Sequence, residues 1–160
     1  MKTKDLIKPN IIAKYFLIRA ERDGDLITPL KMQKLVYFAY TTFLLYTKGK
    51  KGLFSEPIEA WPVGPVVPSL YRELKKYGSM PIKVQNYVDI TEEYLLQKYP
   101  KRIMSFLSGV YEACGRYSAF ELVALTHQER GWIEARKGLS PNEPSKNPIL
   151  DKYILAQHLN

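Results

Sequence analysis

His127 is the side chain of this sequence best suited to acid–base chemistry, because an unperturbed imidazole titrates close to neutral pH. It lies two residues before Glu129. In a catalytic interpretation His127 would be the general base, and the carboxylates of Glu129 and the more distant Glu59 would orient its ring. His127 also ends a short apolar segment with helical spacing, where its ring would pair with the last helix carbonyls and Glu129 would be a solvated loop residue. The local pattern favours this structural interpretation over a catalytic one.

Metal and nucleophile chemistry have less support. Cys114 is the one cysteine, His158 lies close to the C-terminus, and no two potential ligands have the close spacing of a zinc site. Cys114 follows an apolar helix face and is expected to be a small buried hydrophobe. The glycines of residues 49–52 lack the spacing of a phosphate-binding loop. We therefore expect no catalytic residues, no metal and no cofactor, and a protein that is not an enzyme.

Length and composition indicate one globular domain over residues 1–160. The chain is 46% hydrophobic and 25% charged, which excludes disordered and fibrous classes. A lone cysteine excludes the disulfide-rich secreted class. The sequence has no apolar run long enough to span a membrane, and residues 1–5 lack the features of a signal peptide. We expect a cytoplasmic protein with no membrane partner.

The formal net charge of +8 is concentrated at the N-terminal end. Residues 1–52 carry 11 basic and 4 acidic side chains, whereas residues 53–160 carry 13 and 12. Such an excess suggests a polyanion or an acidic protein surface as partner. Most of these cations are lysines, which suit phosphates or carboxylates but carry little base specificity. We expect an acidic protein face first and a polynucleotide second.

The hydrophobic pattern predicts a mainly α fold, a single compact helical domain of about six helices with a minor β element. Thr28 and Pro29 are a strong start signal for a long, largely apolar and therefore central helix over residues 29–48. Ser118 and Glu121 have the spacing of a capping box for a helix that ends near His127. The β element is expected near residues 56–61 or in a hairpin at 80–90, and a last helix is expected to start at Asn147-Pro148.

Three sequence blocks follow one another between residues 27 and 136. They are ITPLKMQKLVYFA (27–39), EAWPVGPVVPSLY (59–71), and SAFEL (118–122) followed by LTHQE (125–129), Trp132 and Ala135-Arg136. The blocks and their order resemble the Panacea domain family, the SocA-like and GepA-like proteins often described as phage-associated. Val63 stands where the family often has an aromatic residue, and Arg130-Gly131 precedes Trp132 where a proline is common.

The resemblance implies an antitoxin of a toxin–antitoxin system. Family members neutralise diverse toxins by binding them directly, their genes lie beside a toxin gene, and no shared enzymatic reaction is implied. The alternative function is a nucleic-acid-binding regulator that controls its own operon together with the toxin. The partners to consider are accordingly the cognate toxin, operator DNA and a second copy of the chain.

The motif blocks supply the candidate binding residues. Trp61 is expected to be structural, whereas Glu59 either pairs with Lys31 or Lys34 or belongs to a recognition surface. Twelve tyrosines exceed what one small core needs, and tyrosine is enriched at interfaces, so Tyr71 and its neighbours are candidate contacts. The full set of family-motif and candidate partner-binding residues is Lys31, Gln33, Lys34, Glu59, Trp61, Gly64, Pro65, Tyr71, Arg72, Thr126, His127, Glu129 and Trp132.

Overall fold

A computed structural model of the chain describes residues 5–159, which form nine α-helices and one two-stranded antiparallel sheet. The mainly α prediction is confirmed, and the larger helix number comes from short helices of four to eight residues. A 3-10 turn, Lys75–Tyr77, follows the third helix. The elements are α1 (Pro9–Asp23), α2 (Pro29–Tyr46), β1 (Glu59–Trp61), β2 (Gly64–Val66), α3 (Pro68–Leu74), α4 (Val84–Tyr87), α5 (Glu92–Lys98), α6 (Lys101–Cys114), α7 (Ala119–Thr126), α8 (Arg130–Ala135) and α9 (Asp151–Leu159).

Helix α2 is the centre of the fold. It begins where the sequence predicts, because Thr28 Oγ1 accepts a hydrogen bond from the Lys31 backbone N–H at 3.3 Å and Pro29 occupies the first turn. The helix packs against α1, α3, α6, α7, α9 and β2, so its apolar residues are buried on several sides. The predicted central helix is confirmed, and it ends at Tyr46.

The other start signals also agree with the structure. Ser118 and Glu121 form the predicted capping box at the start of α7, and Thr91 caps α5 by accepting from the Tyr94 N–H at 3.1 Å. Pro100 separates α5 from α6. Local capping chemistry therefore fixes where these helices begin.

The strand predictions are half correct. The sheet lies at the 56–61 position, where β1 pairs with β2 in the register Glu59 with Val66. The predicted hairpin over residues 80–90 is wrong, because this segment forms α4, which packs against α1. Apolar residues at 84, 87 and 88 fit one helical turn as well as a loose alternation, and tertiary packing selects the turn.

The last helix starts later than predicted. Residues 147–149 lie along β1 instead: Ala60 N–H donates to the Asn147 carbonyl at 2.9 Å, and Ile149 N–H donates to the Ile58 carbonyl at 2.8 Å. The helix α9 therefore begins only at Asp151. Pairing with a strand almost 90 residues earlier overrides the proline start signal.

Most tyrosines belong to the core rather than to a surplus surface. Tyr15, Tyr37 and Tyr111 are buried. Five more are partly buried against the core, namely Tyr40, Tyr77, Tyr87, Tyr99 and Tyr117. The expectation that twelve tyrosines exceed what the core needs is wrong for these eight, because bulky aromatic side chains fill the spaces between the short helices of this fold.

None of the helices within residues 5–159 has the length and apolar character that crossing a membrane requires. The same residues hold no cluster of His, Cys, Asp and Glu side chains suited to a metal ion.

Candidate partner-binding site

The three motif blocks meet at the β1–β2 hairpin. From α2, the Gln33 side chain clamps the backbone of Val67 from both sides: Nε2 donates to the carbonyl at 3.2 Å, and Oε1 accepts from the N–H at 2.9 Å. Lys34 is the next residue of α2, and its Nζ donates to the Pro65 carbonyl at 2.9 Å. The first block therefore supports the hairpin formed by the second.

Lys34 is buried completely, which is unusual for a lysine. Burial lowers the pKa of its ammonium from 10.5 to about 7. The hairpin can lie this close because residue 64 is a glycine with φ of 109°: a Cβ atom there would stand 2.8 Å from Thr126 Oγ1 and 3.0 Å from Lys34 Cε. Thr126 is itself fully buried and donates to the Val123 carbonyl.

Residues of the third block hold the other side of the hairpin. Trp132 Nε1 donates to the Trp61 carbonyl at 2.8 Å. The His127 ring stacks on Trp132, with centroids 4.2 Å apart and an interplanar angle of 12°. Burial is the main cause that lowers the pKa of His127, a backbone hydrogen bond with Pro62 opposes it, and the charges of Lys34 and Arg136 add to the lowering. His127 therefore faces the hairpin and not the last carbonyls of its own helix.

The carboxylates that would orient a catalytic histidine contact other groups. Glu129 Oε2 lies 3.3 Å from His158 Nε2, and its side chain is only 13% exposed, so the expectation of a solvated loop residue is wrong. Glu59 Oε1 accepts from Trp61 Nε1 at 3.0 Å. Within residues 5–159 neither carboxylate forms a hydrogen bond with His127. The constellation needed for a general base is not assembled.

Of the two alternatives for Glu59, the ion pair with a lysine of α2 is wrong. Lys31 Nζ donates to the Gly115 carbonyl at 2.6 Å, and Lys34 Nζ donates to Pro65. Glu59 and Trp61 are two residues apart in β1, so their side chains lie on the same face of the strand. The indole N–H of Trp61 is therefore the hydrogen-bond partner of Glu59 instead of a lysine.

Arg136 is the supporting residue that sequence reasoning missed. It is buried, and its guanidinium donates to three backbone carbonyls: that of Ala60 at 2.9 Å, that of Ser140 at 3.0 Å and that of Glu143 at 2.8 Å. It thus ties β1 to the proline-rich segment 138–148. The sequence does contain a signal for this role, because Arg136 directly precedes a proline-rich loop. The guanidinium of an arginine can donate several hydrogen bonds to the backbone carbonyls of such a loop.

A surface groove of about 240 Å³ lies between the hairpin, the start of α2 and α3. Trp61 and Tyr71 meet there edge to face, with centroids 4.8 Å apart. Tyr71 is 41% exposed and Val63 45% exposed, while Trp61 is half-buried. The groove is lined by Pro29, Leu30, Gln33, Trp61, Val63, Val66, Tyr71, Leu74, Lys75 and Gly78.

The candidate residues therefore divide into three groups. Tyr71 and Arg72 are exposed, and Trp61 is partly exposed at the groove. A second group is buried beneath or beside the hairpin: Gln33, Lys34, Gly64, Pro65 and Thr126. The remaining members, Lys31, Glu59, His127, Glu129 and Trp132, are half-buried and support neighbouring segments.

Among the described residues of the N-terminal third, some of the basic side chains are paired or buried. Lys14 pairs with Asp89 at 2.9 Å, and Arg22 pairs with Glu92 at 3.0 Å. Lys34 is buried, and Lys2 and Lys4 lie outside the described residues. Since α2 is covered by five helices, it does not present a face to a DNA groove.

Comparison with known proteins agrees with this arrangement of blocks. The family described as "Antitoxin SocA-like, Panacea domain" matches residues 32–133. The chain belongs to this family. Antitoxin SocA of Caulobacter vibrioides (strain NA1000 / CB15N) is 34% identical over 150 residues, which cover 89% of this chain and 78% of SocA. No solved structure matches the chain. The Panacea domain match begins one residue before Gln33 and ends one residue after Trp132, so it contains these two supports of the hairpin but not Arg136.

Proposed function

We propose that this protein is an antitoxin that binds its cognate toxin directly and catalyses no reaction. The observation that carries the proposal is the groove beside Trp61 and Tyr71, an exposed apolar surface built on a hairpin held by all three motif blocks. Family membership and the similarity to a protein named Antitoxin SocA support the antitoxin role. On this proposal the two proteins meet in the cytoplasm, and the antitoxin occludes the active face of the toxin.

A rigid support under an exposed aromatic anchor is the arrangement that protein interfaces favour. Tyrosine and tryptophan bury a large area for few rotatable bonds, and a few such residues carry most of the binding free energy. The clamp from Gln33 and the fork from Arg136 hold the hairpin before any partner arrives. Little conformational entropy is then lost on binding.

Co-expression tests the proposal. Each open reading frame that adjoins the gene is induced in a bacterial host with and without this protein, and growth and co-purification are scored. We expect one adjoining frame to arrest growth alone, to be tolerated with the antitoxin, and to co-purify with it. Val63→Asp should abolish both effects, whereas Leu96→Asp, at a similarly exposed position on α5, should not. Rescue without co-purification would contradict direct binding.

A further inference from the structure

We infer that the groove binds an acidic segment of the partner that carries a single aromatic or branched aliphatic anchor. The inference rests on the proposed function, since it takes this groove to be the contact surface, and it adds the chemistry of what binds there. Its first support is the shape: the buried side chains of Val66 and Leu74 form the floor, and the exposed side chains of Val63 and Tyr71 stand at the edges. A floor of this kind fits one apolar side chain.

The charged side chains that line the groove and two neighbouring clefts are all lysines. Lys75 is the one charged residue that lines the groove. A second cleft shares Trp61 with the groove and has Lys146 as its charged residue, and a third, next to Lys75, is lined by Lys76 and Lys83. None of the three clefts, as formed by the described residues, is lined by an aspartate or a glutamate. Charge complementarity therefore selects an acidic segment over a neutral or basic one.

Two glutamates of β1 and α3 accept hydrogen bonds within the chain and line none of the three clefts. Glu73 lies on α3 between Arg72 and Leu74, but its carboxylate accepts from the Tyr87 hydroxyl at 2.9 Å. Glu59 accepts from the Trp61 indole. Arg72 is exposed on the same helix as Tyr71 and adds a guanidinium beside the groove. Around the groove, the cations Lys75, Lys76, Lys83, Lys146 and Arg72 outnumber these two carboxylates, so the balance of charge there is positive.

The combination favours a polypeptide over a nucleic acid. A nucleic-acid path needs cations that follow successive phosphates, with exposed ring faces on which bases stack. Here Lys75 lines a groove with an apolar floor, the other lysines line neighbouring clefts, and Trp61 and Tyr71 pack edge to face against each other. A peptide with one apolar side chain between carboxylates would cover the floor and reach the lysines at once.

Selection from a random peptide library tests this inference with a defined probe. Twelve-residue peptides displayed on phage are selected on the immobilised full chain, and a peptide synthesised from the selected consensus is titrated by fluorescence anisotropy. We expect enrichment of aspartate and glutamate around one aromatic, leucine, isoleucine or methionine residue. The double variant Arg72→Glu/Lys75→Glu should raise the Kd at least tenfold, and higher salt should weaken binding.

Matched controls separate charge from folding. Lys50→Glu/Lys51→Glu makes the same change of net charge at exposed positions outside the groove and should leave the Kd unchanged. Both double variants replace exposed side chains, and circular dichroism checks that they fold. Selection of peptides without acidic enrichment, or equal binding by both double variants, would overturn the inference. So would displacement of the peptide by a DNA duplex, or self-association of the chain through the groove.

The two proposals fail in different ways. Growth rescue and co-purification together with no acidic consensus would overturn this inference and leave the antitoxin proposal standing. Acidic peptides that bind the groove of a chain that rescues no adjoining toxin would support this inference and overturn the antitoxin proposal.

Discussion

At the scale of single residues, the buried lysine is the most informative feature of the hairpin. Lys34 has no exposed surface and one hydrogen-bond acceptor, the Pro65 carbonyl. Removing an ammonium from water is costly unless it is paired, so the lysine favours its neutral form. Its place in the first motif block makes Lys34 a candidate binding residue in the sequence. Its burial could not be predicted, because it depends on the hairpin docking over α2 through Gly64.

The lowered pKa of Lys34 makes stability depend on pH. The pKa is about 7 in the folded chain against an ordinary value of 10.5, so between these values the unfolded chain binds a proton that the folded chain does not. The free energy of unfolding should therefore rise with pH from about 7 upwards, by at most about 1.4 kcal/mol per pH unit from this group. Urea unfolding at pH 7 and pH 9 measures the rise.

Variants assign that pH dependence to one side chain. Lys34→Met keeps the buried apolar stem and removes the titrating amine, so the rise between pH 7 and pH 9 should shrink. Lys50→Met changes an exposed lysine and should leave it as in the natural protein. An equal rise in the natural protein and in Lys34→Met would show that Lys34 is not the group responsible.

At the scale of elements, local signals and long-range pairing share control of the fold. The capping residues Thr28 and Ser118 predict where α2 and α7 begin, and the structure confirms both starts. Residues 147–149 were predicted as helix, but they pair with β1, which is distant in the chain. No local pattern contains that information, because the partner strand decides it. The same holds for the groove, whose walls come from α2, the hairpin and α3.

We expect the contacts of Arg136 to stabilise both the hairpin and segment 138–148. Arg136→Lys keeps the positive charge but loses the fork that reaches the carbonyls of Ala60, Ser140 and Glu143. We expect faster amide hydrogen exchange in residues 59–61 and 139–147 and a loss of about 1–3 kcal/mol in stability. Arg102→Lys, at an exposed position on α6, is the control. Exchange that accelerates uniformly over the whole chain would contradict a local tie.

At the scale of the whole molecule, the charge of +8 has a different meaning from the one composition suggests. Several cations of the N-terminal third pair within the chain or are buried. The lysines that line the groove and its neighbouring clefts, Lys75, Lys76, Lys83 and Lys146, lie outside residues 1–52. The sequence count locates the excess of basic residues in residues 1–52, and from it we expect an acidic partner surface. A count along the chain cannot show which basic side chains lie together on the folded surface, because folding brings distant residues together.

The central claim is that the groove binds a toxin directly, and one measurement tests it most closely. Isothermal titration calorimetry with the purified toxin from the adjoining gene compares the natural protein with Tyr71→Ala and Tyr94→Ala, two tyrosines of nearly equal exposure on α3 and α5. We expect Tyr71→Ala to weaken binding by roughly 30-fold or more, as loss of an anchor residue does. Tyr94→Ala should bind like the natural protein. Equal affinities for all three proteins would contradict the claim.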